Sequence, residues 1–297
     1  MKRILTILAL VATFITSSFT ASAQTVKKDF DLKGFSGIDI SNDFRATVTK
    51  SDTYSVKVEI DGELAPYLDV RLSKDVLIVE LRNAPTKLTL LKNKVMDVSI
   101  SMPQLRSISM NGTSKLVVED AFDLGNGDIS ISTGGTSEVK QFEIHARNAA
   151  LSLSGASKVN LNGDFINVDI QSSGTSRVVM EADAEELKVK SSGTAVSEVN
   201  GKFDTMDFEL SGTSNVTLKG EADEMNAVAS SAGSVDALRM PVRAAKVRLS
   251  GAGICKAYIK ESLEVQCTGA STCSYKTDGE IKLDLKEIAR TATLKKL

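Results

Sequence analysis

Residue types able to do acid–base or metal chemistry are sparse in this chain, and their spacing says more than their number. The single histidine, His145, closes the run Gln141-Phe142-Glu143-Ile144-His145. Phe142 and Ile144 take one phase of the alternation and His145 the other, which predicts an outward, unpartnered imidazole. A metal site or a general base needs partners at defined positions, so no such role is expected of it. Three aspartates, Asp164, Asp183 and Asp204, recur near one kind of turn. On adjacent layers of a stacked fold, two such carboxyl groups would come within the roughly 5 to 10 Å that glycoside hydrolysis uses. The plainer reading is that aspartate suits turns through its side-chain hydrogen bonds. No H-E-x-x-H, G-x-S-x-G, phosphate-binding loop or calcium-binding G-G-x-G-x-D repeat occurs, so neither a cofactor nor a metal is expected.

Hydroxyl groups are the opposite case, abundant and regular. Ser154, Ser173, Ser192, Ser211, Ser231, Ser250 and Thr268 each precede a glycine or, once, Ala232, inside a recurring phrase of the type Ser-Gly-Thr-Ser. With Gly112, Gly135, Gly155, Gly174, Gly193, Gly212, Ala232, Gly251 and Gly269 as one register, the steps are 23, 20, 19, 19, 19, 20, 19 and 18 residues. Stacked hydroxyls can hydrogen-bond along such an array, which is a structural reason for them. A repetitive hydroxyl stripe can also bind a repetitive polymer such as a glycan.

What flanks the phrase names the element that must position it. Upstream, Leu151 and Leu153, Val168 and Ile170, Leu187 and Val189 alternate with polar residues. Downstream, Val159 and Leu161, Val178 and Met180, Val216 and Leu218 do the same, and period two means strands. Glycine-containing segments such as Asn162-Gly163-Asp164 and Asn200-Gly201-Lys202 read as a second turn. One unit of strand, bend, strand and turn cannot bury its apolar face alone. Units stacked about 4.8 Å apart make a continuous core and pair every backbone group. The predicted fold is therefore all-β, a right-handed parallel β-solenoid of about 19-residue coils over residues 106–297. Its last unit departs from the phrase at Lys286-Glu287-Ile288 and ends in Lys295-Lys296-Leu297, which reads as a polar terminal cap. Residues 24–105 alternate as well but lack the phrase, and Ser73-Lys74-Asp75 reads as a hairpin turn. They are expected to form a strand-rich N-terminal subdomain covering the first coil.

Compartment follows from residues 1–23. Lys2 and Arg3, the apolar run Ile4 to Phe14, and Ala21-Ser22-Ala23 have the pattern of a secretory signal peptide, and the apolar run is too short to span a bilayer. Export to the periplasm or cell surface is the expectation, with no transmembrane helix in the mature chain. With 36 basic and 38 acidic side chains in 297 residues the net charge is -2, which excludes the electrostatic footprint of a nucleic-acid binder.

An oxidising destination gives the three cysteines meaning. Cys255 and Cys273 each follow a bend glycine by four, the inward position held by Val159, Val178 and Val216 elsewhere. Strand spacing lies inside the roughly 4.4 to 6.8 Å Cα separation of a disulfide, although side-by-side neighbours strain its dihedral. Cys267, two residues before Gly269, also points inward. A Cys255–Cys273 bridge, a Cys267–Cys273 bridge and three stacked thiols stand as alternatives.

Phe35-Ser36-Gly37-Ile38-Asp39-Ile40, Phe44-Arg45-Ala46-Thr47-Val48, Tyr54-Ser55-Val56-Lys57-Val58, Leu77-Ile78-Val79 and the Ser-Gly-Thr-Ser coils follow one another in order. In this the chain resembles the bacterial family of auto-transporter adhesin, head GIN domains, over roughly residues 35 to 275. The resemblance implies an exported β-helical protein and carries no catalytic motif. The functional expectation is a non-catalytic adhesion or binding module presenting its surface to a glycan or a surface protein. The alternative is a β-helical carbohydrate-active enzyme with acids clustered on one outer face.

Overall fold

In a computed structural model, which describes residues 25–90 and 93–297, the chain is a parallel β-solenoid of about 10 turns. The segment read as a signal peptide lies outside the described residues. Each full coil is one long strand, such as Lys158–Ser172, Arg177–Ser191, Val196–Leu210 and Asn215–Ala229, followed by a four-residue bend. Successive coils pair in parallel and in register: Val159 on Val178, Ile170 on Val189, Met206 on Met225. Inward side chains such as Val178, Met180, Leu187 and Val189 are fully buried. Each Val or Leu removed from water in this way contributes about 1.5 to 3 kcal/mol, so the core is a column of apolar ladders and not a single central cluster.

The bend works because its second residue is left-handed. Gly155, Gly174, Gly193 and Gly212 have φ of 68°, 70°, 70° and 66°, a region closed to most side chains. The amide after each donates to the glycine carbonyl one coil below, as Thr194 does to Gly174 at 2.8 Å and Thr213 to Gly193 at 2.7 Å.

Three expectations need correction. The solenoid does not begin at residue 106. Gly37–Ile40 and Arg45–Lys50 already pair in parallel with Ser107–Met110 and Lys115–Val118, and Asn42, at φ 68°, heads the stack of bends. Asparagine tolerates the left-handed region, so the first bend carries no glycine to betray it. Val76–Leu81 and Met96–Met102 add a further parallel layer on the other side of this coil. Antiparallel strands finish the N-terminal end. Leu68–Ser73 pairs with Val76–Leu81 through the predicted Ser73-Lys74-Asp75 turn, Ser55–Asp61 pairs with Met96–Met102, and Thr25–Phe30 pairs with Ser55–Asp61.

In the full coils the second turn is not a turn, although Asp278-Gly279-Glu280 does link two separate strands, Thr272–Lys276 and Lys282–Ile288. Asn162-Gly163-Asp164 and Asn200-Gly201-Lys202 lie inside continuous strands that bend round a corner. Glycine serves there because the backbones approach closely, and a β-carbon on Gly201 would sit 1.8 Å from the carbonyl oxygen of Ala182.

The C-terminal end is not a polar cap either. Lys282–Ile288 and Thr293–Lys296 form a last coil over the one below, Leu283 over Leu263 and Leu294 over Cys273, with a one-residue register shift after Leu285. Among the described residues no further layer covers it, so Leu285 is 51% exposed where its partner Val265 is buried completely.

Candidate functional site

Two surface columns run parallel to the solenoid axis, one before the bend and one at the opposite corner. Along the first, Ser154, Ser173, Ser192, Ser211, Ser250 and Thr268 stand in one register, as expected. Ser231 does not: with φ 57° it fills the glycine position itself, and Ser230 takes the column. Ala232 therefore aligns with Thr213 and not with Gly212. The substitution of serine for the bend glycine hid this shift.

The hydroxyls of this column donate to backbone carbonyls of the coil beneath and not to the next hydroxyl. Ser173 reaches Leu153 at 3.3 Å, Ser211 reaches Ser191 at 3.4 Å, Ser230 reaches Leu210 at 3.2 Å and Thr268 reaches Leu249 at 3.3 Å. Their oxygen lone pairs remain available as acceptors. Beside them runs a line of threonines, Thr136, Thr175, Thr194 and Thr213, exposed and donating in the same manner to Gly112, Gly155, Gly174 and Gly193. The recurring phrase already contained these threonines, and only the fold shows that they form a second parallel line.

A shallow groove of about 670 Å³ follows the serine column across several coils. Ser154, Ser173, Ser192 and Ser211 line it together with Gln171 and Lys190. Lys190 pairs with Glu209 at 3.1 Å, so a cation and an anion stand amid hydroxyl and amide groups. That is a surface of hydrogen-bonding groups repeated at strand spacing, about 4.8 Å.

At the corner, Asp164 stacks directly on Asp183, but Asp204 belongs to a different column, since Asp183 is followed by Lys202 and Phe203 lies over Ala184. The three aspartates therefore do not make one ladder. Asp204 instead stands between Glu185 and Asp223 in a corner groove of about 740 Å³. The acids of that groove meet cations, Asp223 pairing with Arg243 at 3.4 Å and Glu221 with Lys202 at 2.8 Å.

Asp183 accepts the Lys202 amide at 2.8 Å. Asp164 accepts from His145 Nδ1 at 2.9 Å, while His145 Nε2 meets Glu143 at 3.0 Å. His145 is outward but not unpartnered. The hydrogen bond to Glu143 and the nearby Asp164 raise its pKa above the ordinary 6.5. With a carboxylate on each ring nitrogen it is placed to tie two coils together. The sequence could not place Asp164 beside it, 19 residues on, without the coil length.

All three cysteines are buried and unbridged, with Cys255 in register with Cys273. Among the described residues no group of three or more His, Cys, Asp or Glu side chains is arranged to hold a metal ion, and no helix is long and apolar enough to cross a membrane.

Fold and surface together define a class: β-solenoids that display repeated polar columns along a rigid shaft. Within it, this chain belongs to the family described as "putative auto-transporter adhesin, head GIN domain", whose model matches residues 34–202 and 176–279. An adhesin acts outside the cytoplasm, so membership implies an exported or surface protein. No curated protein matches the chain. Solved structures share its fold at low identity. A "putative adhesin" from Parabacteroides distasonis is 16% identical with a TM-score of 0.50, and the match covers 93% of this chain and 98% of that one. A "putative lipid binding protein" from the same organism is 15% identical with a TM-score of 0.52, over 93% and 98%. A "putative adhesin" from Parabacteroides merdae is 15% identical with a TM-score of 0.50, over 93% and 97%.

Proposed function

We propose that the protein is an exported, non-catalytic adhesion module whose serine groove holds a glycan chain. The observation that supports this is the groove itself, in which the same hydroxyl recurs on successive coils, flanked by Gln171 and Lys190. A polymer lying along the shaft meets equivalent donors and acceptors at each coil, so weak contacts add over its length. Such sites are open and wet, and need no closed pocket. Membership in a family described as adhesins agrees with a binding role.

The test is a glycan-array screen of the protein from residue 24 onward, read beside reducing-end release from the same glycans. Binding without release is the expected result. Release of product, abolished by Asp164→Asn, Asp183→Asn or Asp204→Asn, would move the protein to the enzyme class. Binding to proteins alone would replace the glycan with a surface-protein partner.

A further inference from the structure

The uncovered C-terminal coil sits directly above the part of the core that holds every cysteine of the chain. Cys255, Cys267 and Cys273 are each fully buried. Cys255 and Cys273 occupy the same position of neighbouring parallel strands, Ile254–Cys267 and Thr272–Lys276. Cys267 ends the first of these strands and Cys273 lies near the start of the second, so both flank a single bend. Cys273 therefore neighbours both others, Cys255 across the strand pair and Cys267 across the bend.

We propose that oxidative folding joins two of these unbridged thiols in one disulfide, always through Cys273, which staples the coils beneath the last described one and leaves one thiol free. Among the described residues Leu283, Leu285 and Ile288 of the last coil are 38%, 51% and 36% exposed, and a coil with few buried contacts is where a repeat array frays. A bridge between the coils of Cys255 and Cys273, or across the bend from Cys267, holds the layer on which that coil rests.

The chemistry requires an oxidant, supplied by a small-molecule or protein disulfide such as those of oxidising compartments. With glutathione disulfide, the thiolate of Cys255 or Cys267 attacks one sulfur and expels glutathione. The thiolate of Cys273 then attacks the protein-side sulfur of the mixed disulfide and expels the second glutathione. Two cysteine thiols lose two protons and two electrons, and one glutathione disulfide becomes two glutathione molecules. Contact with Cys273, together with burial, pushes the Cys267 thiol above its ordinary pKa, and contact with Cys255 pushes up Cys273. All three thiols are fully buried in the closed core, so an oxidant reaches them while the last coils are still assembling.

The experiment follows that order. Reduced, denatured protein is refolded in glutathione disulfide, checked for its β circular-dichroism spectrum, denatured again without reductant, and its thiols are titrated and its peptides mapped. One titratable thiol and an internal bridge containing Cys273 are expected. Cys273→Ser should show no internal bridge, and it should still fold because Ser197 fills the equivalent inward position. Three free thiols in the wild type would overturn the proposal. So would a Cys255–Cys267 bridge, an internal bridge that survives in Cys273→Ser, or loss of thiols to glutathione adducts alone. The oxidant is supplied in the tube, so the outcome is independent of export and of glycan binding.

Discussion

Gly193 sits on the carbonyl oxygen of Gly174 so closely that a β-carbon there would lie 2.7 Å from it. The same contact recurs between Gly174 and Gly155 and between Gly212 and Gly193, at 2.5 Å each. The bend is thus a continuous column of backbone in which each left-handed residue roofs the one beneath.

Gly193→Ala should therefore destabilise the solenoid. The left-handed conformation costs an L-residue about 1 to 2 kcal/mol, and the carbonyl contact adds to that. Ser231, which carries a side chain at the same position with φ 57°, provides the reciprocal case. Ser231→Gly should raise the urea midpoint, by an amount equivalent to roughly 1 kcal/mol. Midpoints moving the other way in both variants would refute this account of the bend.

His145 makes stability depend on pH. Its folded pKa is raised above 6.5, first by the hydrogen bond to Glu143 and then by Asp164. A raised pKa means that the folded state holds the proton more tightly. The contribution is fully present below about pH 6.5 and is lost as pH rises through the folded value. Imidazole resonances followed by NMR should titrate above 6.5. The stability difference between wild type and His145→Gln should shrink as pH rises through that titration. A midpoint at or below 6.5 would contradict the two-carboxylate geometry.

Groove residues can be tested apart from the fold. Gln171 and Lys190 both point to solvent on the groove wall, and surface changes of this kind usually alter stability by no more than about 0.5 kcal/mol. The double variant Gln171→Ala, Lys190→Ala should keep the wild-type melting curve while losing at least about tenfold in glycan affinity, equivalent to about 1.4 kcal/mol. Unchanged affinity would place the binding surface elsewhere on the shaft.

Val265 and Leu285 are in-register partners on adjacent strands, yet one is fully buried and the other 51% exposed. Val265→Asp buries an unpaired carboxylate and should cost more than about 4 kcal/mol, or abolish folding of the C-terminal coils. Leu285→Asp should cost less than about 1 kcal/mol, because water already reaches that position. Similar losses in both variants would mean that the terminal coil is covered in solution.

Much of this architecture was legible before any coordinates. Alternation such as Leu187 and Val189 ahead of Gly193 identifies strands because side-chain direction has period two. A glycine returning at steps of 18 to 23 residues marks a repeated backbone need. The register slipped at Ser231, where serine adopts the conformation expected of glycine. The first coil stayed hidden because Asn42 makes the same bend without glycine, and because the next bend comes only at Gly112. The strands of residues 51–106 fill that interval and break the period.

Sequence alone determined the periodicity, the inward ladders and the type of residue at most bends, because these depend on local alternation and on the backbone freedom of glycine. Only the tertiary structure decided which outward residues meet. His145 and Asp164 touch because one coil returns the chain to the same corner. Asp204 parts from Asp183 because the coil step places Lys202 over Asp183 and carries Asp204 past it. Whether Leu285 is core or surface was likewise a tertiary matter. Its alternation is that of a buried strand, and it is exposed because none of the described residues forms a layer above it.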